Sequence, residues 1–361
     1  MRDTFKNKKI ILTGHTGFKG AWLAAWLTSI GAKVYGISLS VPDGEDSLHA
    51  LLGKKAYHAS YIQDIRDYDK VQKLFNDIEP DCVFHLAAQA LVRPSFEDPL
   101  HSFSTNIMGT AHILEACRHL KTNPAIVCIT TDKVYDNVNW VWPYRESDKL
   151  GGKDPYSASK AGAEMVSMAY MRSLYPLMGD ERPHLAVMRG GNVIGGGDWA
   201  VDRIIPDAVR ASMEGKALHI RNPDAVRPWQ HVLDLCHGYM TIAEKLMSKA
   251  AKSYEGGWNI GSDPMSIVTV YDLAEKLKTH WQGNPLTINI DRKPSVPEAH
   301  YLTLDISKAA RELCWQPGLT VNESIAFTAD WYTTFLKSPE MARRLTYEQI
   351  EIYSDLRREK F

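Results

Sequence analysis

The sequence predicts an α/β fold, a doubly wound parallel sheet with a smaller, mixed C-terminal region. Two features of the 361-residue chain lead to this prediction. Through residues 1–190, short apolar runs bounded by turns alternate with helical patterns, which is typical of a parallel sheet covered by helices. From residue 191 to residue 361 the alternation is lost, and segments rich in proline, tryptophan and arginine take its place.

The predicted elements follow one another in regular order. The strand KKIILTG precedes a helix that runs to Ser29, and the strand AKVYGISLS is followed by the helix DYDKVQKLFNDI and the strand DCVFHLAAQ. A helix over Ser104 to His119, the strand AIVCIT, a helix over Asp154 to Tyr175 and the strand HLAVMRG complete the series. Because WNIGSD predicts one more strand, the segment of about 230–262 is expected to return to the first domain.

Composition and charge exclude several classes of protein. The chain has 42 basic and 43 acidic residues without strong charge blocks, so neither nucleic acid nor an anionic membrane is favoured as a partner. The apolar run Ile10 to Leu12 is too short for a signal peptide or a membrane span, and we expect a cytoplasmic protein. The five cysteines form no CxxC pair, which predicts free thiols and no structural metal.

A glycine-rich turn, GHTGFKG, follows the first strand and opens the first helix. Gly14 permits a tight turn, Gly17 lets backbone N–H groups approach a pyrophosphate, and Gly20 lets the helix pack on the sheet. The spacing is GxxGxxG, not the usual GxGxxG, and turns also collect glycines. The strand-then-helix context nevertheless favours a dinucleotide-binding Rossmann domain.

The residues beyond this turn leave the cofactor's form open. At the end of the second strand, where an acidic residue usually binds the adenosine ribose, the chain has Ser38 and Ser40, and no arginine lies nearby for a 2′-phosphate. NAD and NADP are therefore equally compatible. Asp64 could accept a hydrogen bond from the adenine amino group or could cap a helix, and Thr105 with Asn106 could contact the cofactor or cap the next helix.

Polar residues interrupt the strand in ITTDKVY, residues 129–135. Ligands bind at the carboxyl ends of the strands in an open α/β sheet, so we expect Thr131, Asp132 and Lys133 to face a ligand. Burial there would raise the pKa of Asp132 and let it act as an acid. The alternative is a strand-ending turn in which Asp132 caps a helix and Lys133 is solvated.

Tyr156 and Lys160 lie four residues apart, on one face of a helix that Asp154 and Pro155 begin. A phenol with a pKa of about 10 cannot act as a base at neutral pH. The nearby ammonium of Lys160, with an oxidised nicotinamide, would lower the pKa of Tyr156 toward use. The same spacing also arises by chance, but here it follows a glycine-loop domain.

Several segments together resemble the extended short-chain dehydrogenase/reductase family, and within it the nucleotide-sugar 4,6-dehydratases: GHTGFKG, HLAAQA, TTDK, PYSASK, RGGNVIGGGDW, RPWQHV and EAHYLTLD. The resemblance runs from residue 7 to residue 335. It is most specific in GGNVIGGGDWAVDRIIPD with RPWQHV, which match the enzymes that act on CDP-linked glucose. It implies bound NAD and conversion of CDP-glucose to a 4-keto-6-deoxy sugar and water.

The resemblance also implies roles for individual residues. Tyr156 would be the base for the 4-hydroxyl, and Lys160 would lower the pKa of Tyr156. Thr131 would hydrogen-bond the oxygen at carbon 4. Asp132 would protonate the departing 6-hydroxyl. Lys133 replaces the glutamate of the dTDP-sugar relatives, and we expect it to take the carbon 5 proton, with Tyr156 or a water as rivals. The implied cofactor contacts are Gly14, Thr16, Gly17, Phe18, Lys19, Gly20, Ser38, Asp64, Ile65, Leu86, Ala87, Ala88, Thr105, Tyr156 and Lys160; the implied substrate contacts are Asn192, Arg203, Arg221, Arg227, Asn259, His300 and Tyr301.

Two alternatives compete with this interpretation. A nucleotide-sugar 4-epimerase shares Tyr156 and Lys160 but does not need the acid Asp132, and a cofactor-binding protein without activity would need neither. A dehydratase of another nucleotide-linked hexose also fits.

The resemblance further implies a homodimer, or a dimer of dimers, that pairs through the helices over Ser104 to His119 and Asp154 to Tyr175. A stripe on the second helix, Met165, Met168, Met171 and Leu174, favours packing on its own sheet.

Overall fold

The structure is a computed structural model that describes residues 1–41, 46–263, 267–291 and 301–360. Its strands are β1 (Lys9–Thr13), β2 (Lys33–Ser38), β3 (Ala59–Ile62), β4 (Cys82–His85), β5 (Ala125–Ile129), β6 (His184–Gly190), β7 (Val193–Ile194), β8 (Ala217–Ile220), β9 (Val226–Arg227), β10 (Gln230–His231), β11 (Gly256–Ile260), β12 (Val268–Thr269) and β13 (Thr287–Ile290). Seven of these described strands form one parallel sheet in the order β3-β2-β1-β4-β5-β6-β11. The predicted fold class is confirmed.

The helices flank this sheet. They are α1 (Arg2–Phe5), α2 (Phe18–Ser29), α3 (Leu48–Leu52), α4 (Tyr68–Ile78), α5 (Val92–Glu97), α6 (Pro99–Phe103), α7 (Gly109–Arg118), α8 (Pro155–Ala169), α9 (Ile204–Met213), α10 (Val232–Leu246), α11 (Val270–His280), α12 (Ser307–Glu312), α13 (Val321–Lys337) and α14 (Pro339–Lys360). Among the described helices, none combines the length and apolar character needed to cross a bilayer.

Two hydrophobic cores lie on opposite faces of the sheet because successive side chains of a strand alternate. In β1, Ile10 and Leu12 pack into a core with α2 and α10, whereas Ile11 packs into a second core with α4 and α7. All three side chains are fully buried. This two-sided burial explains why the strands appear in the sequence as continuous apolar runs.

The structure corrects two predicted helix starts. Asp64 does not cap α4, because Asp67 does so through the N–H of Lys70. Thr105 and Asn106 do not begin a helix, because the helical segment begins at Pro99, with Asp98 as its N-cap, and passes through a π-helical stretch at Ser104–Met108. An aspartate followed by proline marks this start just as Asp154-Pro155 marks α8.

The region after β6 contains small pairs of strands and additional helices. β7 pairs with β10, β8 with β13, and β9 with β12, while β11 returns to the edge of the main sheet beside β6. The helices α13 and α14 pack on each other, α14 also packs against α2, and Trp331 of α13 lies directly against Gly196. A side chain at Gly196 would collide with this indole, so glycine is required there.

A buried ion pair joins α8 to the end of β6. The guanidinium of Arg189 donates to both carboxylate oxygens of Glu164 at 2.6–3.0 Å, and the two side chains are 4% and 1% exposed. Glu164 also accepts from Thr130, and Arg189 donates to the hydroxyl of Tyr135 at 2.7 Å. The pair therefore fixes the chain on both sides of the turn at residues 131–133.

Arg189→Met should lower the free energy of unfolding by about 3–5 kcal/mol, because it leaves the buried Glu164 carboxylate without its partner. Arg344→Met is the matched control, since the Arg344–Glu348 pair is exposed and should contribute about 0.5 kcal/mol or less. Urea denaturation followed by circular dichroism measures both. Equal losses in the two variants would show that the buried pair has no special contribution.

Candidate active site

The glycine-rich turn has the geometry of an anion-binding loop. Gly14 has a φ of +75°, and an added side chain there would lie 2.7 Å from the backbone nitrogen of Ala87. A side chain at Gly20 would lie 2.2 Å from the carbonyl oxygen of Gly14, so both positions require glycine. Gly17 is exposed at the N-cap of α2, where the helix dipole favours an anion.

Polar residues surround the far end of this loop. The hydroxyls of Ser38 and Thr16 hydrogen-bond each other at 2.7 Å beyond β2. Asp64 forms an ion pair with Arg66, and this contact holds the pKa of Asp64 below its usual value.

The other predicted cofactor contacts lie nearer the sheet. Ile65 is buried in the sheet core. The stretch containing Leu86, Ala87 and Ala88 follows β4 directly, and the N–H of Ala87 donates to the hydroxyl of Thr13. The hydroxyl of Thr105 is buried and has no hydrogen-bond partner.

A cavity of about 330 Å³ lies at the carboxyl end of the sheet. The first turn of α2, the segments after β5 and β6, the start of α8 and the region from Asp198 to Arg227 all contribute to its wall. This is the place where open α/β sheets bind ligands. The cavity brings together these residues singled out in the sequence: Phe18, Lys19, Thr131, Asp132, Lys133, Tyr156, Asn192, Arg203, Arg221 and Arg227.

Thr131 lies beside the acidic and phenolic groups of the cavity. Its hydroxyl donates to one carboxyl oxygen of Asp132 at 2.9 Å, and Tyr156 lines the same cavity. The other oxygen of Asp132 is buried and unpartnered, although it lies close to the backbone at Gly191. The three side chains therefore lie together beside space that a ligand can fill.

Burial favours the neutral forms of both acids. Burial raises the pKa of Asp132, as the sequence predicts, against the opposing effect of Lys133. It also raises the pKa of Tyr156 to about 12, and the neighbouring Thr131 hydroxyl and Arg203 charge oppose this effect only in part. The sequence analysis expects Lys160, together with an oxidised nicotinamide, to lower the pKa of Tyr156. The protein's own groups leave this pKa raised. Asp132 is suited to donate a proton, whereas Tyr156 needs additional positive charge to accept one.

Lys160 lies behind the cavity wall. Its ammonium donates to the carbonyl oxygen of Ile129 at 2.8 Å, and its side chain is buried. Burial, together with the charge of Lys19, lowers the pKa of Lys160 to about 8. The same combination of burial and a neighbouring cation, Arg203, lowers the pKa of Lys19 to about 8.

Cationic side chains predominate in the cavity. Six lysines and arginines line it, Lys19, Arg93, Lys133, Arg203, Arg221 and Arg227, against the four carboxyl groups of Asp132, Asp198, Asp202 and Asp207. Arg93 and Arg221 share Asp202, at 2.9 and 3.2 Å. Planar guanidinium groups in this number suit a ligand that carries phosphate oxygens.

Some predicted residues lie outside this cavity. Asn259 is fully buried, accepts from Tyr135 at 2.7 Å and donates to the backbone carbonyls of Tyr144 and Asp305. Tyr301 lines a separate cavity of about 100 Å³ beside Pro228. His300 lies outside the described residues.

Comparison with known proteins decides the family. The pattern of the GDP-mannose 4,6-dehydratase family matches residues 11–328. The chain belongs to this family. It is also 42% identical over 342 residues to a CDP-glucose 4,6-dehydratase of Salmonella typhimurium, with 94% of each chain covered. The resemblance predicted from the sequence motifs is confirmed.

Solved structures related to this dehydratase family share the fold. A dTDP-glucose 4,6-dehydratase from Bacillus anthracis, solved with NAD, superimposes with a TM-score of 0.74 at 22% identity, over 94% of this chain and 99% of its own. A UDP-glucose 4-epimerase from Stenotrophomonas maltophila, solved with NAD and a formylated UDP-arabinopyranose, gives 0.78 at 20% identity, over 92% and 100%. At this level of identity the likeness supports the fold and not the reaction.

Sequence reasoning missed several charged residues of the cavity wall, among them Arg93 and Asp198. Arg93 carries no recognisable motif, and it reaches the cavity because α5 places it opposite Asp202. Asp198 lies five residues before Arg203 and pairs with it at 2.7 Å. The short spacing of these two residues within GGGDWAVDR is the signal that could have indicated the pair.

Proposed function

We propose that the protein is an NAD-dependent CDP-glucose 4,6-dehydratase, which converts CDP-glucose to CDP-4-keto-6-deoxyglucose and water. The observation that carries the proposal is the shared cavity of Asp132 and Tyr156, which could supply an acid and a base to one hexose ring. The 42% identity to the Salmonella typhimurium enzyme supports CDP-glucose as the substrate. A cytoplasmic location and a role in deoxysugar supply for lipopolysaccharide O-antigen complete the proposal.

The loop after β1 fits the pyrophosphate of NAD. At Gly17 an added side chain would meet only the carbonyl oxygen of Gly14, at 3.4 Å, so the space before the helix is open. The hydroxyls of Ser38 and Thr16 and the carboxylate of Asp64 would hold the adenosine, and the unpartnered hydroxyl of Thr105 would gain a partner. Bound nicotinamide would supply the acceptor for the hydride that leaves carbon 4 and returns to carbon 6.

Tyr156 would take the proton from the 4-hydroxyl as that carbon is oxidised. The phenolate that does so needs positive charge nearby, and Lys160 with the other cavity cations would provide it. Thr131 would donate a hydrogen bond to the oxygen of the developing ketone. Because these groups are buried, the hydrogen bonds act in a medium where they are stronger than in water.

Elimination would then use two further side chains. The ketone acidifies the carbon 5 proton, which Lys133 would accept, and Asp132 would protonate the 6-hydroxyl so that it leaves as water. When the hydride reaches carbon 6 of the resulting double bond, Lys133 would return a proton to carbon 5. The raised pKa of Asp132 supports this role, since a neutral carboxyl is needed to donate. An epimerase would not need such an acid at this position.

We further propose that residues 191–361 hold the nucleotide part of the substrate, apart from the segment of about 230–262, which belongs with the Rossmann domain. Arg203, Arg221 and Arg227 would bind the diphosphate, and Asn192 the sugar, because all four line the cavity. The proposed substrate contacts of Asn259, His300 and Tyr301 rest on the family resemblance.

Incubation of the purified protein with CDP-glucose should give the alkaline absorbance of a 4-keto-6-deoxy sugar, and product should form more slowly with the dTDP-, UDP- and GDP-linked hexoses. The expected preference follows from the CDP-glucose relative. Chromatography of the products distinguishes elimination from epimerisation. An epimerised sugar as the sole product would refute the dehydratase.

Asp132→Asn should slow water loss by about 10²–10⁴-fold, since the amide cannot donate an acidic proton, while bound nicotinamide is still transiently reduced. Lys133→Met should slow exchange of the carbon 5 proton with deuterated solvent. Lys149→Met is the control, because Lys149 is 81% exposed and belongs to the same loop. Normal turnover of Asp132→Asn would remove this residue from the mechanism.

We also propose a homodimer, or a dimer of such dimers, that pairs through two helical segments: one runs from α6 through the π-helical stretch into α7, and the other is α8 with the helical turns that follow it. Leu100, Met108 and Met165 are 76%, 51% and 59% exposed on these adjoining helices. On the predicted methionine stripe, only Met171 is fully packed in the sheet core, so the stripe is divided between the core and the surface.

Met108→Glu combined with Met165→Glu should convert the assembly to monomers in light scattering after size-exclusion chromatography, because charges would be buried in an apolar interface. Ile352→Glu, on the exposed side of α14, is the control and should leave the mass unchanged. A monomeric wild-type protein would contradict the proposed assembly.

A further inference from the structure

A chain of buried hydrogen bonds connects the ends of β1 and β4 to α7. The hydroxyl of Thr13 lies 2.7 Å from Nδ1 of His85 and accepts the backbone N–H of Ala87 at 3.1 Å. The opposite ring nitrogen of His85, Nε2, lies 3.0 Å from the hydroxyl of Thr110. Thr110 donates in turn to the backbone carbonyl of Asn106 at 2.6 Å. The threonines and the histidine are all buried, so these bonds are shielded from water.

The contacts determine which ring nitrogen of His85 carries the proton. A hydroxyl has a single hydrogen, and that of Thr110 points to the carbonyl of Asn106, so Thr110 must accept from His85. Nε2 therefore carries the proton, and Nδ1 accepts the hydroxyl of Thr13. The reverse tautomer would leave the hydroxyl hydrogen of Thr13 without an acceptor among the described residues, since its oxygen already faces the N–H of Ala87. Burial lowers the pKa of His85 to about 3, which keeps the ring neutral at physiological pH.

Further hydrogen bonds extend this chain to the backbone of Tyr156. The side-chain amide of Asn106 donates to the hydroxyl of Ser159 at 2.7 Å, and Ser159 donates to the carbonyl oxygen of Tyr156 at 2.7 Å. Asn106 also holds the backbone N–H and carbonyl of Gln89, at 2.8 and 2.9 Å. On the other side, the N–H of Tyr156 donates to the hydroxyl of Ser95 in α5 at 3.1 Å. Buried hydroxyls thus hold both backbone groups of the proposed base.

The other end of the chain lies at the glycine-rich turn. Thr13 directly precedes Gly14, and the N–H of Ala87 that Thr13 accepts belongs to the backbone nitrogen that Gly14 approaches so closely. The hydrogen bonds therefore join the proposed pyrophosphate loop to the turn of α8 that carries Tyr156. Because each of Thr13, His85 and Thr110 both accepts and donates, the bonds between them all point in one direction and strengthen one another.

We propose that His85, protonated at Nε2, is a positioning residue that sets the place of Tyr156 relative to the glycine-rich turn. It acts through Thr110 and Asn106 and not through contact with a ligand. The inference deepens the proposed function and rests on it, because Tyr156 is taken there as the base for the 4-hydroxyl. Misplacing a reacting group by about 1 Å can slow a reaction by about 10²-fold, so such a chain would affect the rate.

Nitrogen NMR of the full chain, with isotopically labelled histidine, tests the tautomer directly and needs no substrate. The chain has 13 histidines, and the signals that disappear in His85→Gln or move in Thr110→Val belong to residue 85. We expect the chemical shifts of a ring protonated at Nε2 and unprotonated at Nδ1, and they should persist as the pH is lowered to about 5. A ring protonated at Nδ1, a mixture of the two tautomers, or a doubly protonated ring at neutral pH would overturn the proposal.

Thr110→Val interrupts the chain with little change in the size of the side chain. It removes the acceptor of His85 and the donor to Asn106, and should slow sugar oxidation, followed as reduction of bound nicotinamide, by about 10–100-fold without a comparable change in KM for CDP-glucose. Thr110→Ser keeps the hydroxyl and should restore most of the rate. Thr241→Val is the matched control, because Thr241 of α10 is also a buried helical threonine that donates to the carbonyl four residues earlier.

Urea denaturation followed by circular dichroism shows whether each variant is folded and equally stable. Equal slowing in Thr110→Val and Thr241→Val, or normal sugar oxidation in Thr110→Val, would overturn the proposal. If Thr110→Val does not fold, Ser159→Ala takes its place, since it removes the last link to Tyr156; normal oxidation in that variant counts equally against the proposal. The proposed function fails separately: CDP-glucose would then yield no 4-keto-6-deoxy sugar, although His85 would still be protonated at Nε2.

Discussion

The site depends on keeping a carboxyl group and a phenol out of water at the carboxyl ends of parallel strands. Burial raises the pKa of Asp132 and of Tyr156, which suits the first to an acid and works against the second as a base. The cations that line the cavity oppose this effect on the phenol only in part, and in the proposed reaction they would also bind the anionic substrate. One electrostatic arrangement thus accounts for both binding and proton transfer in the proposed reaction.

Most of the sheet could be predicted because each strand is a local signal. Strands buried on both faces are short apolar runs, and the glycine turn marks where the first of them ends. The two-residue strands β7, β9, β10 and β12 have no periodicity to detect. The start of α6 was missed because its signal, Asp98-Pro99, does not precede an apolar pattern. Long-range contacts such as Glu164–Arg189 have no local signal at all.

The grouping of Thr131, Asp132, Lys133 and Tyr156 in one cavity could be predicted, because strand ends and helix starts meet at one edge of an α/β sheet. Asn259 obeys the same rule of position but lies outside the cavity. Its amide is used by Tyr135 and two backbone carbonyls, and only coordinates reveal such partners. Nor does the sequence contain a signal that Lys160 donates a hydrogen bond to the carbonyl of Ile129, or that Arg203 donates one to Asp198.

The return of β11 to the sheet limits how this fold can be divided. Because Gly256–Ile260 covers the outer edge of β6, a chain cut after residue 190 would expose a buried, apolar strand edge that invites pairing with other chains. Residues 1–190 therefore need β11, from the later part of the chain, to remain monodisperse. Exchange of segments between relatives that divides the chain at residue 190 would separate β6 from β11 and is therefore disfavoured.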